Sequence, residues 1–73
     1  MPQEVPIRGD MIRLGQLLKL AGVVESGGEG RALVGAARVR VNGEPETRHG
    51  RQLGPGDSVA VGELELRVSR QPD

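Results

Sequence analysis

Residues 26–43 read SGGEGRALVGAARVRVNG, and within them the apolar residues change from a helical to an extended period. Ser26 and Glu29 have the spacing of a helix N-cap and its third helical residue, which predicts that a helix begins here. The apolar face of this helix follows at i, i+3, i+4 and i+7, with Gly30, Leu33, Val34 and Ala37. The glycine on that face is expected to permit a close approach of a second helix.

Immediately after this helix, the apolar residues recur at every second position. Two valines alternate with Arg38 and Arg40, which predicts a strand that buries the valines and exposes the arginines on the opposite face. Asn42-Gly43 is the strongest short signal for a hairpin. The return strand over residues 44–47 contains Pro45, so it is expected at the edge of a sheet.

A first helix precedes this stretch. Its apolar face is formed by Leu14, Leu17, Leu18 and Ala21, and it ends at Gly22. Because helices this short are not stable alone in water, the two are expected to form a hairpin that packs on a sheet. Alternating residues predict an edge strand or an extended arm at 5–7 and two further strands around 59–61 and 64–68. The fold class expected is α+β, a helical hairpin packed on a small, mainly antiparallel sheet.

Composition excludes several kinds of site. The 73 residues form one small domain, 1–73, with short flexible ends, and they include no cysteine, no aromatic residue and one histidine. These absences exclude disulfides, the usual zinc sites and an aromatic platform for stacking bases, and no metal or cofactor is expected. No signal peptide or membrane-spanning run is found, so a cytoplasmic protein without a membrane partner is expected.

Charge is balanced overall and uneven along the chain. Ten basic residues match ten acidic ones, yet residues 31–51 hold five arginines against two glutamates. Catalysis is not expected, because His49 has no serine or cysteine at triad-like spacing. It is interpreted as a loop residue that contacts solvent or phosphate. The acidic residues are interpreted as solvent-facing, with no pair that suggests a perturbed pKa.

The arginines suggest a surface for nucleic acid. The start of the second helix offers backbone N–H groups at residues 27–29, which suit a phosphate. If the helices pack beside the following strand, one groove holds Arg31, Arg38, Arg40, Arg48 and Arg51. The alternative is a solvated charged face balanced by Glu44 and Glu46.

Four separated motifs lie within residues 12–61. They are LGQLLK at 14–19, SGGE at 26–29, VRVNG at 39–43, and ETR at 46–48 with PGD at 55–57. Their combination resembles the S-four RNA-binding domain, the alpha-L motif, and in particular its small free-standing bacterial members. Two positions depart from the family pattern. Gly30 stands where the family usually has alanine, and Ala37 stands where a glycine usually ends the helix.

The resemblance implies non-catalytic binding of structured RNA, with ribosomal RNA as the expected ligand, by a protein assumed to be a monomer. It implicates residues at the start of the second helix, on the strand and turn, and on the following loop: Ser26, Gly27, Arg31, Arg40, Asn42, Arg48 and Arg51. It also implicates Arg13 and Lys19, at basic positions of the family.

Two alternatives remain open at this point. VRVNGE at 39–44 and PGDSV at 55–59 also resemble strands of the β-grasp fold in ubiquitin-like sulphur carriers. Those carriers need a C-terminal Gly-Gly, whereas this sequence ends Gln71-Pro72-Asp73. The other alternative is a protein-interaction module that uses its edge strand and does not bind RNA.

Overall fold

The computed structural model describes residues 2–72; of the short ends predicted to be flexible, Met1 and Asp73 lie outside the described residues. The helices are α1 (Leu14–Leu20) and α2 (Gly27–Gly35). The strands are β1 (Gln3–Ile7), β2 (Ile12–Arg13), β3 (Val39–Val41), β4 (Glu44–Pro45), β5 (Gln52–Leu53), β6 (Ser58–Val61) and β7 (Leu64–Arg70). This is the α+β class that the sequence predicts.

Five strands form one sheet in the order β1-β7-β6-β3-β4. Strand β1 runs parallel to β7, and the other three pairings are antiparallel. Both edge strands contain a proline, Pro6 in β1 and Pro45 in β4. Proline lacks the N–H that an inner strand needs, so the predicted edge positions of both segments are confirmed.

A second, two-stranded sheet joins β2 to β5, with Ile12 opposite Leu53. It was not predicted, because strands of two residues show no measurable periodicity. This small sheet brings the segment before α1 against the segment after residue 51. It therefore links the helical pair to the loop that carries Arg48 and Arg51.

The core lies between the helices and one face of the five-stranded sheet. It is built almost entirely from leucine and valine, namely Val5, Ile7, Leu14, Leu17, Leu18, Val24, Val34, Val39, Val41, Leu53, Val59, Leu66 and Val68. Because successive strand residues point to opposite faces, Arg40, Ala60 and Glu65 lie on the outer face, away from the helices. No helix within residues 2–72 is long and apolar enough to cross a membrane.

Helix α2 begins where the sequence predicts. The Ser26 hydroxyl oxygen accepts a hydrogen bond from the Glu29 N–H at 3.1 Å, so Ser26 is the N-cap. The turn after β3 is also confirmed as a hairpin. Asn42 and Gly43 have φ values of 52° and 87°, the left-handed pair that a tight hairpin turn requires.

Helix α1 ends in a Schellman motif around Gly22. The Gly22 N–H donates to the Lys19 carbonyl at 3.1 Å, and the Val23 N–H donates to the Leu18 carbonyl at 2.9 Å. Gly22 has φ +76°, a conformation in which a residue without a Cβ avoids strain.

Helix α2 ends in the same motif, but alanine occupies the left-handed position. The Ala37 N–H donates to Val34 at 3.0 Å, and the Arg38 N–H donates to Leu33 at 3.4 Å. Ala37 has φ +59° and is exposed, so its predicted place on the apolar face of the helix is wrong. The motif forms even though alanine is strained there, because both hydrogen bonds satisfy carbonyls at the helix end.

Ala37→Gly is therefore expected to stabilise the protein. Relief of the left-handed strain, less the greater entropy of glycine in the unfolded chain, should contribute roughly 0.5–1 kcal/mol. In a domain of this size, that raises the melting temperature by roughly 3–6 °C. Thermal unfolding followed by circular dichroism measures the change.

Ala32→Gly is the matched control, because Ala32 is exposed inside α2 with ordinary helical geometry. The same substitution there should destabilise the protein by about 1 kcal/mol. A lower melting temperature for both variants would show that residue 37 is not strained.

Candidate nucleic-acid interface

The loop of residues 48–51 caps the start of α1. The Leu14 N–H donates to the Arg51 carbonyl at 2.8 Å, and the Gly15 N–H donates to the His49 carbonyl at 3.0 Å. These are two of the N–H groups that have no partner within a helix. The N-cap residue Arg13 donates its own N–H to Gln16 Oε1 at 3.1 Å. The loop is therefore attached to the helix by backbone hydrogen bonds.

The His49 side chain fills a slot between the two helices. A Cβ on Gly15 would lie 2.0 Å from His49 Nε2, and a Cβ on Gly30 would lie 3.4 Å from the same atom. The ring thus occupies the space that the missing side chain of Gly15 leaves. Gly30 also lies beside Val24, whose Cγ2 would be 3.5 Å from a Cβ at position 30.

These contacts change two predictions. His49 is a loop residue, as interpreted, and it is partly exposed, but its Nε2 is buried between the helices and has no hydrogen-bond partner among the described residues. The close approach permitted by Gly30 is made by the His49 ring and by Val24. The role of Gly15 was missed altogether, because nothing near it in the sequence indicates the ring.

A buried carboxylate organises the two loop arginines. Glu46 is 6% exposed, and its oxygens accept hydrogen bonds from Arg48 Nε at 3.0 Å and from Arg48 Nη2 at 3.1 Å. Arg51 Nη1 donates to the same carboxylate at 2.7 Å, and the backbone N–H of Arg48 donates at 3.1 Å. We call Glu46, Arg48 and Arg51 the arginine clamp.

The clamp perturbs the carboxylate strongly. The hydrogen bonds from the Arg48 and Arg51 side chains lower the pKa of Glu46 from 4.5 to about 2. The prediction of solvent-facing acids with ordinary pKa values is therefore wrong for Glu46. The charge pattern gave no signal of it, since Glu44 and Glu46 alternate with uncharged residues like an ordinary exposed edge.

The clamp borders an open groove. The groove has a volume of about 510 Å³ and is lined by Arg48, Gly50, Arg51 and Gln52. The Arg48 side chain is 72% exposed and that of Arg51 34%, so both reach its surface. Arg13, the N-cap of α1, approaches from the other side, where its Nη1 lies 3.5 Å from the Gly50 carbonyl oxygen. Three arginines thus lie near the start of α1.

The His49 ring also lies beside Gly30, the fourth residue of α2, so the loop contacts the second helix as well as the first. Ser26, Gly27 and Arg31 are all exposed at the start of α2. The Glu29 N–H donates to Ser26, so it is not among the backbone groups open to a phosphate.

The remaining predicted site residues lie elsewhere. Arg40 projects from the outer face of the sheet, where its Nη1 lies 3.4 Å from the Gly43 carbonyl oxygen. The Asn42 amide is used within the protein: it donates to Asp57 at 3.1 Å and accepts from the Ser58 N–H at 2.9 Å. Lys19 is exposed in the last turn of α1. The structure therefore does not place all predicted arginines in one groove.

Comparison with known proteins identifies relatives over most of the chain. A family model described as the S4 domain matches residues 5–69, which extends beyond the motifs at 12–61 on both sides. The chain is also 44% identical over 61 residues to a protein of Bacillus subtilis (strain 168) named "Probable ribosome maturation protein RlbA". That alignment covers 84% of this chain and 86% of the relative.

The slot between the helices leads to a prediction at Gly15. Gly15→Ala should force the His49 ring out of the slot or the helix away from the loop, with a cost of about 1–3 kcal/mol. In the background of His49→Ala, the same substitution should cost much less, because the clashing ring is gone. Urea unfolding of the two single variants and the double variant measures this coupling.

Gly35→Ala provides the control, since a Cβ at Gly35 would meet nothing within 4 Å. It lies in the last turn of α2 and should leave stability unchanged or raise it by up to about 1 kcal/mol. If Gly15→Ala lowered the free energy of unfolding equally in the parent and in the His49→Ala background, the proposed clash between a side chain at position 15 and the His49 ring would be wrong.

The arginine clamp predicts acid sensitivity. The folded-state pKa of Glu46 lies below its ordinary value, so its contribution to stability is complete above about pH 4.5 and is lost as pH falls toward about 2. Glu46→Gln removes this contribution at every pH. The difference in melting temperature between parent and variant should therefore shrink across that window.

Only this difference assigns the effect to Glu46, because a second carboxylate also has a lowered pKa. The backbone N–H of Gly54 and the side chain of Asn42 lower the pKa of Asp57 as well. Its effect is common to parent and variant and cancels. If the difference in melting temperature between the parent and Glu46→Gln stayed constant down to pH 2, the clamp would not be what lowers the pKa of Glu46.

Proposed function

The chain belongs to the S4 domain family, and we propose that it binds structured RNA, in particular ribosomal RNA, without catalysing a reaction. The observation that supports this most directly is the position of the loop of residues 48–51. Backbone hydrogen bonds hold this loop on the start of α1, and it exposes Arg48 and Arg51 beside Arg13. A fixed group of guanidinium groups suits phosphate, which arginine binds through two parallel hydrogen bonds.

The relative in Bacillus subtilis supports the ribosomal part of the proposal, since its name describes a probable ribosome maturation protein. We place the action of this chain in the cytoplasm on the same ground, with ribosomal RNA as its partner. One chain supplies the whole group of arginines, so a monomer suffices for the proposed binding.

The proposed RNA contact surface, the helix-end surface, consists of Arg13, Ser26, Gly27, Arg31, Arg48 and Arg51. Contacts of one RNA segment with these residues would not include Arg40, which lies on the outer face of the sheet. Arg40, Asn42 and Lys19 enter the proposal as a second contact region, used only by an RNA long enough to bend round the domain.

Three charge reversals of equal size test this arrangement: Arg31→Glu, Arg40→Glu and Arg67→Glu. Arg31→Glu should lower the affinity for fragmented ribosomal RNA about tenfold and make the slope of log affinity against log salt less negative by about one. The parent slope should be roughly −3 to −4, as for about four phosphate contacts. Fluorescence anisotropy at several salt concentrations gives both quantities.

Arg67→Glu is the control, because Arg67 is exposed on the outer face of the sheet beside Glu4. It changes the net charge equally and should have little effect on binding. Arg40→Glu reports whether the RNA reaches the second region. Equal losses for Arg31→Glu and Arg67→Glu would mean that binding depends only on net charge, and a parent that binds no structured RNA would favour a protein-interaction module.

A further inference from the structure

We propose that Glu46 is a positioning residue for RNA: its carboxylate holds Arg48 and Arg51 so that both guanidinium groups face one phosphate in the groove beside Gly50. This inference rests on the proposed function. It concerns a negatively charged residue inside a surface proposed to bind a polyanion, and by charge alone such a residue would weaken binding.

The hydrogen bonds leave suitable donors for a phosphate. Arg48 gives Nε and Nη2 to Glu46, and Arg51 gives only Nη1. A guanidinium group carries five N–H donors in a planar fork. Among the described residues, the Nε and Nη2 of Arg51 make no hydrogen bond, and together they form an edge that can bind a phosphate through two parallel bonds.

The clamp also removes two obstacles to binding. Without a carboxylate between them, the two guanidinium groups would repel each other and move apart. Long arginine side chains also lose conformational freedom when they bind a ligand, and this loss is smaller when they are already held in place. Glu46 is 6% exposed and lies behind the arginines, which therefore stand between its charge and the groove.

The loop does not depend on the clamp for its position. Its backbone is bonded to α1 through the carbonyls of His49 and Arg51, and the His49 ring fills the slot beside Gly15. Loss of the Glu46 charge should therefore release the arginine side chains while the backbone of the loop stays in place. Hydrogen bonds from the two arginines lower the pKa of Glu46, so its carboxylate is charged at neutral pH, as the clamp requires.

The experiment compares Glu46→Gln with Glu44→Gln. Both remove one negative charge from neighbouring positions, and Glu44 is exposed with no arginine hydrogen bond among the described residues. The measured quantity is the affinity for fragmented ribosomal RNA at one fixed salt concentration. Positioning predicts that Glu46→Gln weakens binding about tenfold, although the net charge becomes more positive, while Glu44→Gln leaves it unchanged or slightly tighter.

A double-variant cycle separates positioning from a general loss of structure. Arg48→Ala removes one of the residues through which Glu46 acts, so Glu46→Gln should weaken binding much less in that background. A merely structural role would give the same loss in both backgrounds. Circular dichroism confirms that each variant is folded at the temperature of the measurement.

If Glu46→Gln does not fold, the affinity of Glu46→Asp is measured instead. It keeps the charge but is one methylene shorter, so it cannot hold both arginines, and it should also weaken binding. The inference is overturned if Glu46→Gln or Glu46→Asp binds at least as tightly as Glu44→Gln. A parent protein that binds no structured RNA would instead refute the proposed function.

Discussion

The missing side chain at position 15 is the constraint on which the position of the loop of residues 48–51 depends. A Cβ there would lie 2.0 Å from the His49 ring, so the ring can enter the slot only beside a glycine. The ring and two backbone hydrogen bonds then hold the loop on α1. Because that loop carries Arg48 and Arg51, a steric condition inside the helical pair determines where two positive charges appear on the surface.

The prediction from sequence succeeded where the signal was local. Ser26, Asn42-Gly43 and the alternating valines of β3 are each recognised from residues that lie close together in the chain, and each is confirmed. His49 and Glu46 could not be placed in this way, because the partners that define them come together only in the folded protein. A histidine or glutamate in a polar segment is ordinarily exposed. Here Glu46 is buried, and His49 is partly exposed with its Nε2 buried.

Ala37 shows a different reason for failure. Alanine has the highest intrinsic preference for a helix, so a residue at i+7 of an apolar pattern is interpreted as helical. In the structure, the two hydrogen bonds of the Schellman motif outweigh that preference and hold Ala37 at φ +59°. The family resemblance identified the position as one where glycine is usual, which the periodicity alone would not show.

The separation of charges explains how a chain without net charge can present the locally positive surface that is proposed to bind RNA. On the outer face of the sheet, Arg67 lies opposite Glu4, and Ala60 alone separates Arg40 from Glu65. Opposite charges thus stand on adjacent strands or two strands apart, about 5 and 10 Å between backbones, so their fields partly cancel at a distance. At the start of α1, Arg48 and Arg51 share the Glu46 carboxylate, which is turned inward, and Arg13 lies beside the Gly50 carbonyl. The positive field is therefore local, and the proposed contact with RNA would depend on the geometry of a few guanidinium groups rather than on the charge of the whole domain.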